Sequence, residues 1–466
     1  MSGFSKDFLW GAATSAYQIE GGAFSDGKGA SIWDAFCQQR GAIRDHSSGE
    51  VACDHITHFK DDVALMSQIG LQSYRFSISW PRILPQGVGS LNEKGLDFYD
   101  QLIDALLAKN IKPFITLFHW DLPLALHEQG GWLNPDISKW FGDYAALLSE
   151  RFSDRVENWF TINEPQIVIG LGYYQGTKAP GYKLHLKEVL LALHNSLLAH
   201  GRAVQALRDR ASRPIKIGPV SAGSIAFPSQ VNALDIEAAR TATFFVNGDR
   251  EDRHDFYKWN FPMDPTWNFS WYTDPVFLGH YPEQGLEILG SNVPKYTDAD
   301  MEIISQPVDF CGLNLYSGYP VQADAIKDWV CADKPTGFPV TAFKWPVTPE
   351  ILYWGPKYFY ERYGKPIYIT ENGMSGHDWP DSSGTVEDPQ RIHFLKQYLN
   401  QYKKASGDGL PVLGYFLWSL MDNFEWEQGY EERFGIIHVD FQTQERRLKA
   451  SAKWYADTIR SNGSEL

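Results

Sequence analysis

Val156-Glu157-Asn158-Trp159-Phe160-Thr161-Ile162-Asn163-Glu164-Pro165 is an apolar, aromatic and β-branched run that stops on an amide, a carboxylate and a proline. A run of this length and composition reads as a buried strand with a functional end. The same signature recurs at about Phe8–Tyr17, Ser73–Trp80, Lys112–Trp120, Ile215–Ser221, Asp309–Tyr316, Pro366–Thr370 and Gly414–Leu420. Between these runs lie segments of helical spacing: Gly95–Lys109 (with Leu96, Tyr99, Leu102, Ile103 and Leu106), Pro135–Phe152 and Leu186–Leu207. Eight strands alternating with helices imply a parallel sheet, and eight is the number that closes a (β/α)8 barrel. The expected fold is therefore α/β, one TIM barrel over residues 1–466 with long insertions after its strands. No linker or low-complexity segment divides the chain. The stretch Phe227–Pro307, rich in Trp and Pro, shows no clear strand and reads as an insertion lying over one face.

Most of the predicted strands end in a polar or aromatic cluster. These are Gln18-Ile19-Glu20, His119-Trp120-Asp121, Asn163-Glu164-Pro165, Asn314-Leu315-Tyr316, Glu371-Asn372-Gly373 and Glu425-Trp426. A barrel gathers the C-terminal ends of its strands on one face, where such folds build their active sites. Residues far apart in sequence are thereby expected to become neighbours.

Composition narrows the class. With 42 Lys+Arg against 57 Asp+Glu the net charge is −15, which excludes a nucleic-acid footprint, and no basic run points to an anionic membrane. Met1–Trp10 lacks a basic segment followed by an apolar one, so no signal peptide is expected. The longest apolar runs, such as Leu413–Met421, fall short of the roughly 20 residues that span a bilayer. A cytoplasmic protein without a membrane partner is the expectation, and a homo-oligomer is left open. The four cysteines are scattered and do not form a disulfide framework. Cys53, His55 and His58 cluster, but without a second ligand pair they read as a loop and helix start rather than a metal site. Aromatics make up 15% of the chain, an excess that serves core packing or a pocket that stacks flat ligands.

Two carboxylates stand out, Glu164 and Glu371. Each follows an apolar run and has an Asn beside it, Asn163 or Asn372. Breaking a glycosidic bond needs an acid for the leaving oxygen and a second carboxylate across the anomeric carbon. The plainer alternative is that each Glu caps a helix or pairs with a nearby Arg. Taken singly, His119 would read as a satisfied core histidine and any one Trp as packing; joint placement at strand ends favours a site.

Thr161-Ile162-Asn163-Glu164-Pro165 and Ile369-Thr370-Glu371-Asn372-Gly373 resemble the two signature segments of glycoside hydrolase family 1. The opening from Phe8 to Gly21 is similar to that family's as well. So are Arg75–Trp80, His119–Pro123, Asn314–Tyr316 and Trp418–Trp426, all in the family's order. The resemblance covers essentially the whole chain. It implies a retaining β-glycosidase on a barrel, with Glu371 the nucleophile and Glu164 the general acid and then base. Retention calls for about 5–5.5 Å between the two carboxyls. Arg75 and Tyr316 are implied to contact Glu371, Arg75 holding it ionised. Gln18, His119, Asn163, Asn314 and Glu425 are implied to bind sugar hydroxyls, with Trp418 and Trp426 offering a ring face and an indole N–H. Trp345 resembles the family's platform for the leaving group, although Phe343-Lys344 before it departs from the usual small residues.

No cofactor or metal is called for. Gln166 stands where many members carry Trp, which puts leaving-group preference in question. The presence of Glu164 argues against a thioglucosidase, and Glu425, with Glu427, Glu431 and Glu432 after it, is expected to repel a sugar phosphate. The expected substrates are small soluble β-glucosides: cellobiose, short oligosaccharides and aryl glucosides, cut from the non-reducing end. A broad β-galactosidase or β-fucosidase is the alternative within the class, and a non-catalytic sugar-binding protein the alternative outside it.

Overall fold

The computed structural model describes residues 3–248, 259 and 264–466. Eight parallel strands form a closed barrel: β1 (Leu9–Ala13), β2 (Ser73–Ser77), β3 (Lys112–Phe118), β4 (Asn158–Asn163), β5 (Lys216–Ala222), β6 (Cys311–Asn314), β7 (Ile367–Asn372) and β8 (Val412–Trp418). Each starts within two residues of a run read as a strand, and the first two runs overshoot their strands' ends, at Tyr17 for Ala13 and at Trp80 for Ser77. Their order round the barrel is their order in sequence, and β1 pairs with β8 to close it. Strands buried on both faces read as continuous apolar runs, which is why they were visible without a period-two alternation.

The outer ring is helical. It includes α1 (His55–Ile69), α2 (Glu93–Ala108), α3 (Ile137–Phe152), α4 (Leu186–Arg210), α5 (Ala233–Phe244), α6 (Ser270–Leu278), α7 (Asp298–Ile304), α8 (Ile351–Tyr363), α9 (Pro389–Gly407) and α10 (Ala450–Arg460). In α2 the apolar stripe Leu96, Tyr99, Leu102, Ile103 and Leu106 is buried against the barrel, as its spacing required. The His185 and Glu188 pair caps the start of α4, and α4 packs along α3.

The stretch 227–307 departs in part from its sequence reading, although its Trp267 does reach the mouth of the barrel. Its first two residues complete a short strand, Ile225–Pro228, in a three-stranded sheet beside the barrel. Helices α6 and α7 then pack on α4 in the outer ring rather than over the mouth. Gly201 in α4 permits that contact, since a Cβ there would sit 1.8 Å from the carbonyl oxygen of Ile303 in α7. Part of the stretch, 249–258 and 260–263, lies outside the described residues.

Aromatic rings fill the barrel's interior. Phe114 of β3, Phe160 of β4, Phe310 just before β6, Tyr368 of β7 and Phe416 of β8 form one cluster. Centroids are 4.9 Å apart for Phe114 and Phe416, 5.3 Å for Phe160 and Phe310, and 5.1 Å for Phe310 and Tyr368. This plug accounts for part of the aromatic excess. It also gives the mouth of the barrel a dry floor, on which charges interact strongly. The cysteine–histidine cluster is structural: His55 pairs with Asp62 at 2.7 Å, and the Cys53 thiol donates to the Asp422 carbonyl.

Candidate active site

The sequence order places Glu164 and Glu371 at the ends of β4 and β7, and local irregularities aim them. The pairing register slips between Phe160 and Asn163 on β4, and between Ile369 and Glu371 on β7. Such irregularities re-aim side chains at barrel rims. Glu164 itself takes a left-handed backbone, φ 49°, held by its N–H donating to the Val220 carbonyl at 3.1 Å. Trp120 (φ 84°) and Trp426 (φ 50°) are left-handed as well. Three non-glycine residues at one mouth in this costly region mark a site whose surroundings over-determine it. Gly373, two residues beyond Glu371, lets the chain pass the Trp418 carbonyl, where a Cβ would sit 1.7 Å from the oxygen.

One hydrogen-bonded network joins both carboxylates. Arg75, in the middle of β2, lies over the Phe160 ring of the plug at 5.1 Å. Its guanidinium donates to Glu371 Oε1 at 2.6 Å, to Asn163 Oδ1 at 2.6 Å and to the Thr370 carbonyl at 3.2 Å, with Nε on Thr116 Oγ1. The Tyr316 hydroxyl donates to Glu371 Oε2 at 2.6 Å. Asn314 Nδ2 donates to Glu164 Oε1 at 2.8 Å and to Asn163 Oδ1 at 3.1 Å, while its own Oδ1 accepts from Thr370 Oγ1 at 2.6 Å. Since Asn163 Oδ1 accepts from Arg75 and Asn314, its Nδ2 must donate, and it does so to His119 Nε2 at 3.1 Å. That leaves the buried Nδ1 of His119 carrying its proton without a partner.

The carboxyls differ electrostatically. Burial first, and the charge of Glu371 second, push Glu164 up to about 8, against one hydrogen bond from Asn314 and the more distant Arg75 and Lys178. Glu371 is also raised by burial, but the Arg75 contact and the Tyr316 and Asn314 hydrogen bonds oppose it directly. Arg75 thus meets Glu371 as expected, without fully overcoming its burial. Of the two, Glu164 keeps the proton. Burial and the nearby Arg75 push His119 well below its ordinary value, so its ring is neutral.

Around this pair lies a pocket of about 220 Å³. Ten of the residues singled out in the sequence line it: His119, Trp120, Glu164, Asn314, Tyr316, Trp345, Glu371, Trp418, Glu425 and Trp426. Trp418 stacks on His119 with centroids 5.8 Å apart, Trp120 meets Trp426 at 4.4 Å, and Trp345 packs on Tyr316 at 5.1 Å. Gln18, Asn163 and Arg75 stand behind this wall and are fully buried. The Gln18 amide accepts from Ser15 Oγ and donates to Asn423 Oδ1, the Phe424 carbonyl and Glu425 Oε2, so it orients the Glu425 carboxyl. Gln166 is buried away from the pocket, with Oε1 facing the Ala222 N–H at 3.5 Å.

Lys178, Phe343, Phe434 and Trp267 also line the pocket, and the sequence had not assigned them to it. Lys178 pairs with Glu427 and lies over the Trp120 ring at 5.5 Å. That pair corrects the expectation of a uniformly acidic rim. Glu427 is neutralised by Lys178, Glu431 meets Arg44 at 3.1 Å, and burial pushes Glu425 up to about 8. Near neutral pH this burial favours Glu425 as an acid rather than an anion, so charge repulsion of a phosphate is weaker than the sequence implied. No group of three or more His, Cys, Asp or Glu side chains among the described residues could hold a metal ion.

Comparison with known proteins follows the same lines. The model of glycosyl hydrolase family 1 matches residues 1–254 and 260–464. A 1,4-beta-D-glucan glucohydrolase of Thermotoga neapolitana is 43% identical over 467 residues, covering 99% of both chains. Beta-glucosidase A of Thermotoga maritima is 42% identical over 463 residues, again with 99% of each covered. A solved structure of the Thermotoga maritima beta-glucosidase in complex with castanospermine superposes with a TM-score of 0.88 at 42% identity, covering 100% of both chains.

Proposed function

The chain belongs to glycosyl hydrolase family 1 and is a glycosidase; from that premise we propose that it is a retaining, exo-acting β-glucosidase. It releases terminal non-reducing β-D-glucosyl residues from cellobiose, short oligosaccharides and aryl β-glucosides, with residues 1–466 acting as one catalytic unit. The observation that carries this reading is the inequality of two buried carboxyls joined through Asn314. Glu371 is held by a cation and a phenol, while Glu164 is raised to about 8. A double displacement needs one ionised nucleophile and one acid that keeps its proton near neutral pH.

In the first step a Glu371 oxygen attacks the anomeric carbon, the bond to the leaving oxygen breaks, and that oxygen takes the Glu164 proton. The glycosyl ester removes the Glu371 charge, which is the second cause of the raised Glu164 value. Glu164 then acidifies, as its next task requires. In the second step water attacks the anomeric carbon, gives a proton to Glu164, and the ester to Glu371 breaks. His119, with its unpartnered Nδ1–H, and Glu425 grip hydroxyls, and Trp418 and Trp426 supply an apolar face and an N–H. Gln18 and Asn163 act through the partners they orient. Trp345, packed on Tyr316, supports the leaving group.

Hydrolysis of a panel of nitrophenyl β-D-glycosides, with the first anomer followed by NMR, tests the reading. Initial β-glucose is the expected product; initial α-glucose would overturn retention. The panel includes galactoside and fucoside, because a Thermotoga maritima relative was solved in complex with a galacto-hydroximolactam. No turnover of any β-glycoside would favour a sugar-binding protein instead.

A further inference from the structure

Beside the pocket opens a second cleft of about 1270 Å³. The two share a wall one turn thick. In the segment from Thr341 to Trp345, Phe343 and Trp345 line the pocket, whereas Thr341, Ala342 and Lys344 line the cleft. The turn is closed by the Thr341 N–H donating to the Trp345 carbonyl at 2.9 Å. It is tied to the loop following Glu371 by the Phe343 N–H on Ser375 Oγ, also 2.9 Å. Lys344 at its tip takes a left-handed φ of 66°, a cost that fixes which residues face which cavity.

Also lining the cleft, Trp379 leaves 73% of its surface in water. No other Trp among the described residues is exposed to that degree. An indole left in water forgoes the largest burial gain any side chain offers. Exposed polar groups line the same cleft, among them Asp381, Gln390, His393 and Gln397. An aromatic face fringed by carboxylate, amide and imidazole is the chemistry that fits a pyranose, whose ring faces are apolar and whose rim is hydroxyls. A β-linked chain that leaves the pocket over Phe343 and Trp345 passes into the cleft, which lies directly across that turn.

We propose that this cleft is a remote binding site for the reducing-end part of a β-linked gluco-oligosaccharide, with Trp379 stacking on one of its rings. This extends the β-glucosidase reading to substrate length and rests on it. The test compares wild type with Trp379→Ala on nitrophenyl β-glucoside, cellobiose and cellopentaose. The variant is expected to lose roughly threefold to tenfold in kcat/KM on cellopentaose, the worth of one ring stack, with the two short substrates unchanged. An equal loss on all three, or none on cellopentaose, overturns the proposal. Calorimetry of cellopentaose binding to Glu371→Gln, alone and combined with Trp379→Ala, keeps the question separate from turnover. Weaker binding in the double variant supports the cleft even if hydrolysis fails, and unchanged binding overturns it.

Discussion

Two clusters of buried charge meet near the ends of β7 and β8, and they are built on opposite plans. In one, Asp378, Asp388 and Asp422 meet Arg391, Lys449 and Arg433, three acids against three bases. Contacts include Lys449 to Asp378 at 2.6 Å, Lys449 to Asp422 at 2.7 Å, Arg433 to Asp422 at 2.7 Å and Arg391 to Asp388 at 2.8 Å. Burial acts to raise Asp378, but Arg391 and Lys449 overcome it and its value falls. Asp388, which shares Arg391, is still pushed up by burial. In the other cluster Glu164, Glu371 and Glu425 face one directly contacting guanidinium, Arg75, because Lys178 is taken by Glu427. Glu164 and Glu425 rise to about 8. The balanced cluster ties loops together, and the unbalanced one stores acid where the proposed chemistry would use it. They touch through Phe434, whose carbonyl accepts from Arg391 and whose ring lines the pocket.

Removing charge from each cluster sharpens this contrast. The largest effect belongs to Glu371→Gly, expected to lower kcat/KM by at least about 10⁴-fold, since the proposed nucleophile is lost. Azide should restore turnover of an activated glucoside and yield the α-glucosyl azide; full activity in the variant would remove Glu371 as nucleophile. Next comes Glu164→Gln, with a loss of about 10²–10⁴-fold on cellobiose and far less on a dinitrophenyl glucoside, whose leaving group needs no proton. The wild-type pH profile carries the sign. In the proposed mechanism protonated Glu164 is the active form, so kcat/KM should fall as pH rises through about 8. On an activated substrate that alkaline limb should vanish in Glu164→Gln.

In the balanced cluster, Asp378→Asn takes one of two carboxylate partners from each of Arg391 and Lys449, leaving three bases against two acids, and should cost about 2–3 kcal/mol of stability by thermal unfolding. Turnover of the protein that remains folded should stay near wild type. The smallest effect is expected at Asp121, beside the pocket. Burial lifts it to about 8, and neither its oxygens nor the neighbouring Ser79 hydroxyl forms a well-made hydrogen bond. A carboxyl raised in the folded state binds more protons there than in the unfolded chain. Its stabilising effect is complete below the unfolded value near 4 and is lost as pH climbs toward 8. Asp121→Asn should therefore add about 1–2 kcal/mol at pH 8 and almost nothing at pH 4, read as a pH-dependent gain in Tm.

The barrel was legible because most strands are apolar runs buried on both faces and end in residues that no core requires. Glu164, Glu371, Arg75 and Tyr316 were recoverable because they sit in short contiguous motifs. Other features depend on pairings that no local pattern records. Lys178 reaches Glu427 from a loop 249 positions away, and nothing in Gly176-Thr177-Lys178 announces it. The left-handed turn at Glu164 and the slips on β4 and β7 arise from barrel closure. Phe434 is one Phe among 28 until the Arg391 contact fixes it. The acidic run after Glu425 misled because sequence counts charges without showing which are paired or protonated.

Closure of the barrel also sets a timetable for synthesis. β1 pairs with β8 from Leu9–Gly414 to Ala13–Trp418, and the Trp10 indole donates to Asn462 Oδ1 at 2.9 Å. At ordinary translation speeds roughly 20 to 80 s separate the emergence of these two strands from the ribosome. Through that interval the first strand offers an unpaired edge to anything nearby, so the nascent chain depends on helices folding early to shield it. Arg75 waits nearly as long for Glu371. Catalytic competence is thus among the last properties the growing chain acquires, and premature termination before β8 leaves a product with no partial activity to lose.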